Sequence, residues 1–214
     1  MKVIIFGATG MVGQGVLRES LLAADVERVL AVVRTPTGVR HAKLHEVHLA
    51  DFADLAPIEG ELTGYDACFY CLGVSSVGLD EAAYTRICYD YPVAAVTALS
   101  KINPEMTFVY VSGAGTDPAG RAMWKRVKGR TENVVLDTFR NGYAFRPGII
   151  QPTYGATSKT SLYRAGYAIA APLFPLLERV APRHVTTTDR LGRAMLHAAR
   201  VGFASHIVEN ADFR

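Results

Sequence analysis

Cysteine is scarce in this chain, with three in 214 residues. Three thiols do not make a disulfide framework, so a fold stapled by bridges is excluded and a reducing cytoplasm is the expected location. Charge of one sign is lacking as well. The 23 Lys and Arg against 20 Asp and Glu leave +3, too little for a dedicated nucleic-acid surface but suited to an anionic small molecule. Long apolar runs are also missing. The uncharged stretch 165–177 is too short for a membrane span and is broken by Pro172 and Pro175. The apolar start at 3–6 is too short for the h-region of a secretory leader. No internal repeat and no low-complexity tract is present.

Two apparent metal or redox motifs dissolve on inspection. Cys68 and Cys71 make a C-x-x-C, but they lie in a strand-like run, where residues three apart point to opposite faces. Two buried small side chains are expected there. His41, His45 and His48 fall on loop and strand, where His45 and His48 would also diverge, so no metal site is expected.

What the chain does have is concentrated near its start. Four apolar residues, 3–6, predict a short buried strand, and Gly7, Gly10 and Gly13 then lead into an amphipathic helix. Gly7 permits a tight turn. Gly10 lets backbone approach a phosphate, and Gly13 lets the helix pack close on the strand. The free N–H groups and dipole of that helix would face a dinucleotide pyrophosphate, with Thr9, Met11 and Val12 completing the cradle. The spacing is G-x-x-G-x-x-G rather than the dehydrogenase G-x-G-x-x-G.

Half of the residues are hydrophobic, enough for a single domain over 1–214 with one full core. Strands are expected near 3–6, 29–33, 44–49, 67–72, 107–111 and 143–145. Helices are expected near 11–22, 82–99 and 121–138, and a last one runs from Thr188 to a stop at Gly202. This alternation predicts an α/β fold, a doubly wound parallel sheet with its ligand crevice at the carboxyl ends of the strands. After Pro147 the pattern changes. Residues of about 153–185 are expected to form a small helical insertion, with 161–181 serving as a flap, a dimer surface or a docking surface.

The nucleotide can be read from the strand ends. Arg34 ends the second strand, where an acidic residue would hold the 2′-OH of NAD and an arginine pairs with the 2′-phosphate of NADP. Arg40 and Lys43 are expected to help. Asp51 follows the third strand and can accept from the adenine amino group, with Phe52 lining the ring. Leu72, Gly73 and Val74 end the fourth strand, where Gly73 allows close backbone approach.

The opening G-A-T-G-x-x-G, the Asp51-Phe52 pair, the strand ending at Ser112 and the run 145–149 together resemble the short-chain dehydrogenase/reductase superfamily. More narrowly, with the stretch 127–132 and the ending 208–212, they are similar to its extended and atypical branch, which includes NmrA-like and Tat-interacting-protein-like members. The resemblance implies a Rossmann fold and assigns Pro147, Gly148, Ile149 and Ile150 to the cofactor. It also implies a Ser that orients the substrate carbonyl, a Tyr that passes the proton, and a Lys four residues later that holds the nicotinamide ribose. Ser112 and Lys128 match the first and last. Trp124 stands where the Tyr would be.

An indole N–H donates a hydrogen bond but does not titrate, so Trp124 cannot serve as a general acid. Its spacing still puts it on the helix face of Lys128, beside the nicotinamide. Tyr84, Tyr89, Tyr91 and Tyr154 are the candidate surrogate acids, with Asp90 nearby. Arg121, Lys125, Arg126, Lys128 and Arg130 crowd one segment, as an anionic ligand site or as a solvated helix face. Two functions compete. One is an NADP(H)-dependent oxidoreductase acting on a small carbonyl or hydroxyl substrate. The other is an NADP(H)-sensing regulator that binds a partner protein. Monomer and homodimer both fit.

Overall fold

A computed structural model describes residues 1–157 and 174–213. Its centre is a seven-stranded, wholly parallel sheet built from β1 (Lys2–Phe6), β2 (Arg28–Val33), β3 (Leu44–His48), β4 (Ala67–Tyr70), β5 (Thr107–Val111), β6 (Gly142–Arg146) and β9 (Ile207–Glu209). The order is β3-β2-β1-β4-β5-β6-β9, so the expected doubly wound α/β fold stands. The order reverses between β1 and β4, and the crevice of such a sheet opens there. A separate two-stranded parallel ladder joins β7 (Ile149–Gln151) to β8 (Val185–Thr187).

Strand alternation divides the core in two. Val3, Ile5, Val29, Ala31 and Phe69 point to one face, under α1 (Met11–Leu22) and α6 (Thr188–Arg200). Ile4, Phe6, Leu30, Tyr70, Phe108 and Tyr110 point to the other, under α3 (Tyr91–Ile102) and α4 (Met123–Thr138). Strands covered on both faces read as continuous apolar runs, which is why the sequence showed them plainly. Cys68 and Cys71 sit on opposite sides of the sheet, both as free thiols.

Three departures bear on the site. The expected helix 82–99 is a composite: α2 (Glu81–Thr85), a π-helical turn (Arg86–Asp90) and then α3. The Cys88 carbonyl in the turn accepts from Thr131 Oγ1 of α4 at 2.7 Å and from Tyr110 Oη at 3.4 Å. These outside donors give an unwound carbonyl its partners, as a π turn needs. Second, β2 reaches β3 through a loop rather than a helix. That loop carries Lys43 to the start of β3, where its ammonium donates to the Ala23 carbonyl at 2.7 Å. Lys43 therefore sits at the wrong end of the sheet to assist Arg34, contrary to expectation. Third, about half of the helical insertion expected at about 153–185, residues 158–173, lies outside the described residues. Its described parts are an irregular strap at 153–157, α5 (Phe174–Val180) and β8. Among the described residues no helix is long and apolar enough to cross a membrane.

Candidate functional site

The glycine loop is as tight as its spacing implies. Gly7 takes φ +80°, and a Cβ on Gly13 would stand 2.0 Å from the Gly7 carbonyl oxygen. Any side chain at 13 would push α1 off β1. Gly10 caps α1 with no side-chain hydrogen bond, and no acidic residue lies in the first turn. The free N–H groups of that turn, Met11 and Val12 among them, are therefore open to an anion. Thr9 contributes its carbonyl to Gln14 Nε2 at 3.1 Å. Gly15 was missed by sequence reasoning. A Cβ there would stand 2.5 Å from Thr188 Cβ, so Gly15 sets the close contact of α1 with α6.

The adenosine side matches the expectation only in part. Arg34 is exposed, its guanidinium 5.8 Å from the Phe52 ring centroid. Asp51 is exposed at the end of β3, where Oδ1 accepts from the Ala53 amide at 3.0 Å and Oδ2 pairs with Arg86 at 3.4 Å. The Phe52 ring is 3% exposed and packs on Phe6 and Tyr91. It therefore belongs to the core and does not line a ligand; its backbone is what it can offer. Gly73 and Val74 are exposed beyond β4, with open space where a Gly73 Cβ would stand, and Leu72 is half-buried beside Gly7. A cavity of about 690 Å³ opens beside α1, bounded by Ala8, Thr9, Leu17, Thr35 and Tyr154. Among the described residues it does not reach Ser112 or Lys128.

At the other end, β5 and α4 bring Ser112, Trp124 and Lys128 together. Lys128 Nζ donates to the carbonyls of Ser112 at 3.0 Å and Val111 at 3.2 Å, and lies 5.6 Å from the Tyr110 ring centroid. Burial lowers its pKa from the ordinary lysine value, opposed by Cys88 and Glu132. One turn on, buried Glu132 takes Arg146 of β6 in a fork, at 3.0 Å from Nε and 2.6 Å from Nη2. This fork holds the pKa of Arg146 above its ordinary value and fixes α4 to the strand end. Buried Ser112 takes its backbone partner from the Phe145 carbonyl at 2.7 Å, and its Oγ meets Thr116 Oγ1 at 3.0 Å. Thr116 carries no local sequence signal, and Glu132 entered the sequence reading only as part of the stretch 127–132, with no role assigned to it.

Trp124 is half-buried against Tyr84, Cys88 and Val127. Its Cζ3 edge faces Gly113, 3.8 Å from where a Cβ would stand. Of the candidate surrogate acids, Tyr84 and Tyr89 pack in the cluster that holds Trp124, and Tyr91, Tyr154 and Asp90 do not. Tyr84 shares its cluster but is 1% exposed, and burial pushes its phenol far up, with the Cys88 thiol adding to the shift. Tyr89 lies under Arg130, Tyr91 Oη accepts from Arg86, and Tyr154 is exposed beneath Arg18. Asp90 is exposed. Past β6, the Pro147 carbonyl accepts from Ala114 and the Gly148 amide donates to Asn210 Oδ1. A Cβ on Gly148 would stand 2.3 Å from the His184 carbonyl. Ile149 is half-exposed and opens β7, with Ile150 beside it. The histidines do not converge: His41 accepts from the Lys43 amide, and His48 meets the Arg34 carbonyl. Among the described residues no His, Cys, Asp or Glu cluster is placed to hold a metal ion.

The model of the NAD dependent epimerase/dehydratase family matches residues 3–145. Protein FMP52-2, mitochondrial, from Scheffersomyces stipitis is 31% identical over 151 residues, 68% of this chain and 65% of that relative. The match thus spans just under two thirds of that protein's length. The enzyme WbmH of Bordetella bronchiseptica, solved in complex with NAD+, superposes with a TM-score of 0.67 at 20% identity, over 97% of this chain and 73% of its own. MoeE5, solved with UDP-glucuronic acid and NAD, gives 0.72 at 16% identity, over 97% and 75%. At these identities the two structures speak for the fold.

Proposed function

We propose, for a chain that belongs to the NAD dependent epimerase/dehydratase family, an NADP(H)-dependent oxidoreductase acting on a small carbonyl or hydroxyl substrate. One observation carries the reading: the Lys128 ammonium is held by the Ser112 and Val111 carbonyls at the carboxyl end of β5, the edge of the parallel sheet at which the glycine loop leaves β1. The cradle fits a dinucleotide. It has an uncapped helix terminus, no acidic residue in the first turn, and open space above Gly73. Arg34 follows the end of β2 with no acidic partner among the described residues, and an arginine so placed can pair with a 2′-phosphate. Within the family we place the chain in the atypical branch with NmrA-like and Tat-interacting-protein-like members.

The nicotinamide, when bound, supplies or accepts a hydride. The remaining work falls to this chain. The Lys128 ammonium holds the ribose hydroxyls, and Ser112 hydrogen-bonds the substrate oxygen. Trp124 fills the acid's position and keeps its proton. Solvent must then deliver that proton, at about a hundredth to a ten-thousandth of the rate a positioned acid provides. The same indole favours a second reading, a sensor that binds NADP(H) with little turnover and changes its contacts with a partner protein. For the compartment we favour the cytoplasm over the mitochondrial location in the relative's name, and fractionation of a tagged chain decides it.

The test is a titration of the full chain with NADPH and then NADH, read by Trp124 emission and by calorimetry. NADPH is expected to quench the single tryptophan and to bind at least about tenfold tighter than NADH, since one charge-assisted phosphate contact is worth about 1.5–3 kcal/mol. Binding of neither nucleotide overturns both readings.

A further inference from the structure

Gln14 stands in the first turn of α1 and divides its side-chain amide between two backbone segments. Its Nε2 donates to the Thr9 carbonyl in the glycine loop at 3.1 Å and to the Thr157 carbonyl at 3.1 Å. Its Oε1 accepts from the Thr157 amide at 3.1 Å. An amide nitrogen carries two protons, so both donations are made at once, and Gln14 takes the N–H and C=O of Thr157 together. The strap 153–157 is pinned at its other end as well. The Thr153 amide donates to Thr188 Oγ1 at 3.1 Å, and Thr153 Oγ1 donates to Asp189 at 2.8 Å. Between these anchors the chain turns through Tyr154 at φ +50° and Gly155 at φ +81°, with the Arg18 guanidinium 3.7 Å from the Tyr154 ring centroid. A tyrosine in the left-handed region persists only where its surroundings hold it. Anchors at both ends do so here, and Gln14 is one of them.

We propose that Gln14 couples the strap to the nucleotide: a dinucleotide bound at the glycine loop holds Thr157 in place, and its release loosens the strap. This rests on the reading that the glycine loop takes a pyrophosphate, which both functions above share, and names what that site controls. A bound phosphate fixes the free N–H groups of the first turn of α1, the turn that carries Gln14. Thr9, in the loop itself, is held by the same side chain. Ordering the loop and the turn fixes Gln14, so docking Thr157 then costs less conformational entropy. Coupling of this kind is reciprocal, and the docked strap raises nucleotide affinity by the same factor. The strap residues 153–157 form one wall of the cavity of about 690 Å³, which Ala8 and Thr9 also line. Nucleotide occupancy therefore sets the position of that wall. Gln14 acts here as a positioning residue and touches no reacting atom.

The experiment follows amide hydrogen exchange in the full chain with and without saturating NADP+, and calorimetry measures the binding itself. Two strap amides report: Thr157, held by Gln14, and Ala156, held at 3.0 Å by the Thr153 carbonyl within the strap. The Thr153 amide, held by Thr188, is the reference. NADP+ is expected to slow the two reporters at least about fivefold more than the reference. In Gln14→Met, a side chain of similar length with no amide, the excess slowing of Ala156 is expected to vanish. NADP+ then binds more weakly, by no more than about the same factor. Gln14→Ala, a stronger helix former, is expected to behave alike. Equal slowing at reporters and reference is the stabilisation any bound ligand gives, and overturns the proposal. So does excess slowing of Ala156 that survives in both variants. Weaker NADP+ binding in the variants, with no excess slowing in the parent, would show that Gln14 only shapes the glycine loop, and overturns it too. No NADP+ binding to the parent overturns the nucleotide reading itself, and the coupling with it.

Discussion

The two ends of the crevice are built on different principles. At the glycine loop the geometry is local. Gly7, Gly10 and Gly13 lie within seven residues, and the decisive contact, the Gly13 position against the Gly7 carbonyl, closes inside one β–α turn. At the Ser112 end nothing is local. Ser112 takes its partners from β6 and from a loop, Lys128 reaches back to β5, and Glu132 is tied to Arg146 fourteen residues on. The glycine-loop end keeps Gly7, Gly10 and Gly13 at the spacing read from the sequence, with the tight contact that spacing implies. On the proposed reading, the other end keeps Ser112 and Lys128 but carries Trp124 where proton transfer would take place. Sterics leave a glycine turn little freedom. A reaction site assembled from four elements can change one side chain and keep its frame.

Trp124→Tyr breaks this comparison most directly. If the frame is intact and only the acid is missing, the variant gains reductase rate, by about 10²–10⁴-fold at most. The measurement is NADPH oxidation against a panel of small aldehydes and ketones. No gain, with nucleotide binding unchanged, favours the sensor. Tyr84 offers no rescue in the parent chain, because its phenol is sealed from solvent and burial raises its pKa.

Glu132→Ala tests how the frame is held. The Glu132 side chain is 2% exposed and that of Arg146 16%. Removing one partner of a buried pair strands the other, at a cost of about 3–5 kcal/mol. Urea unfolding is expected to show that loss, and nucleotide affinity is expected to fall with it because Lys128 sits one turn away. Stability within about 1 kcal/mol of the parent, the range of an exposed pair, would mean that α4 is held by its apolar face alone.

The fold was largely legible because its strands are covered on both faces and read as apolar runs. β7, β8 and β9 were not, since each has three residues, too few for any periodicity. The π turn was hidden for another reason. The partners of its Cys88 carbonyl are Thr131 and Tyr110, more than twenty residues away. At the site, the glycine loop and the Ser112–Lys128 pair were readable, the first from spacing and the second from resemblance. Asp51 and Phe52 mark the limit of such reading: the motif lies at the expected strand end, yet the Phe52 ring turns into the core and Asp51 faces Arg86.

Thr116 carries the smallest expected effect and sharpens the comparison furthest. Its Oγ1 donates to the Gly113 carbonyl at 2.8 Å. A hydroxyl has one proton, so in the 3.0 Å contact with Ser112 it is Thr116 that accepts. The Ser112 proton is then directed at Thr116, and Ser112 turns lone pairs toward the crevice. Such a serine receives a substrate hydroxyl better than it supports a carbonyl. Thr116→Val keeps the shape and removes the acceptor, at a cost of about 1 kcal/mol in stability. It frees the Ser112 proton to donate outward. On the oxidoreductase reading, KM for carbonyl substrates is expected to fall and KM for the matching alcohols to rise, each by less than about tenfold, with NADPH affinity unchanged. A uniform change in both directions would show that Thr116 only packs the loop, and that the orientation of Ser112 is set by its backbone bond to Phe145.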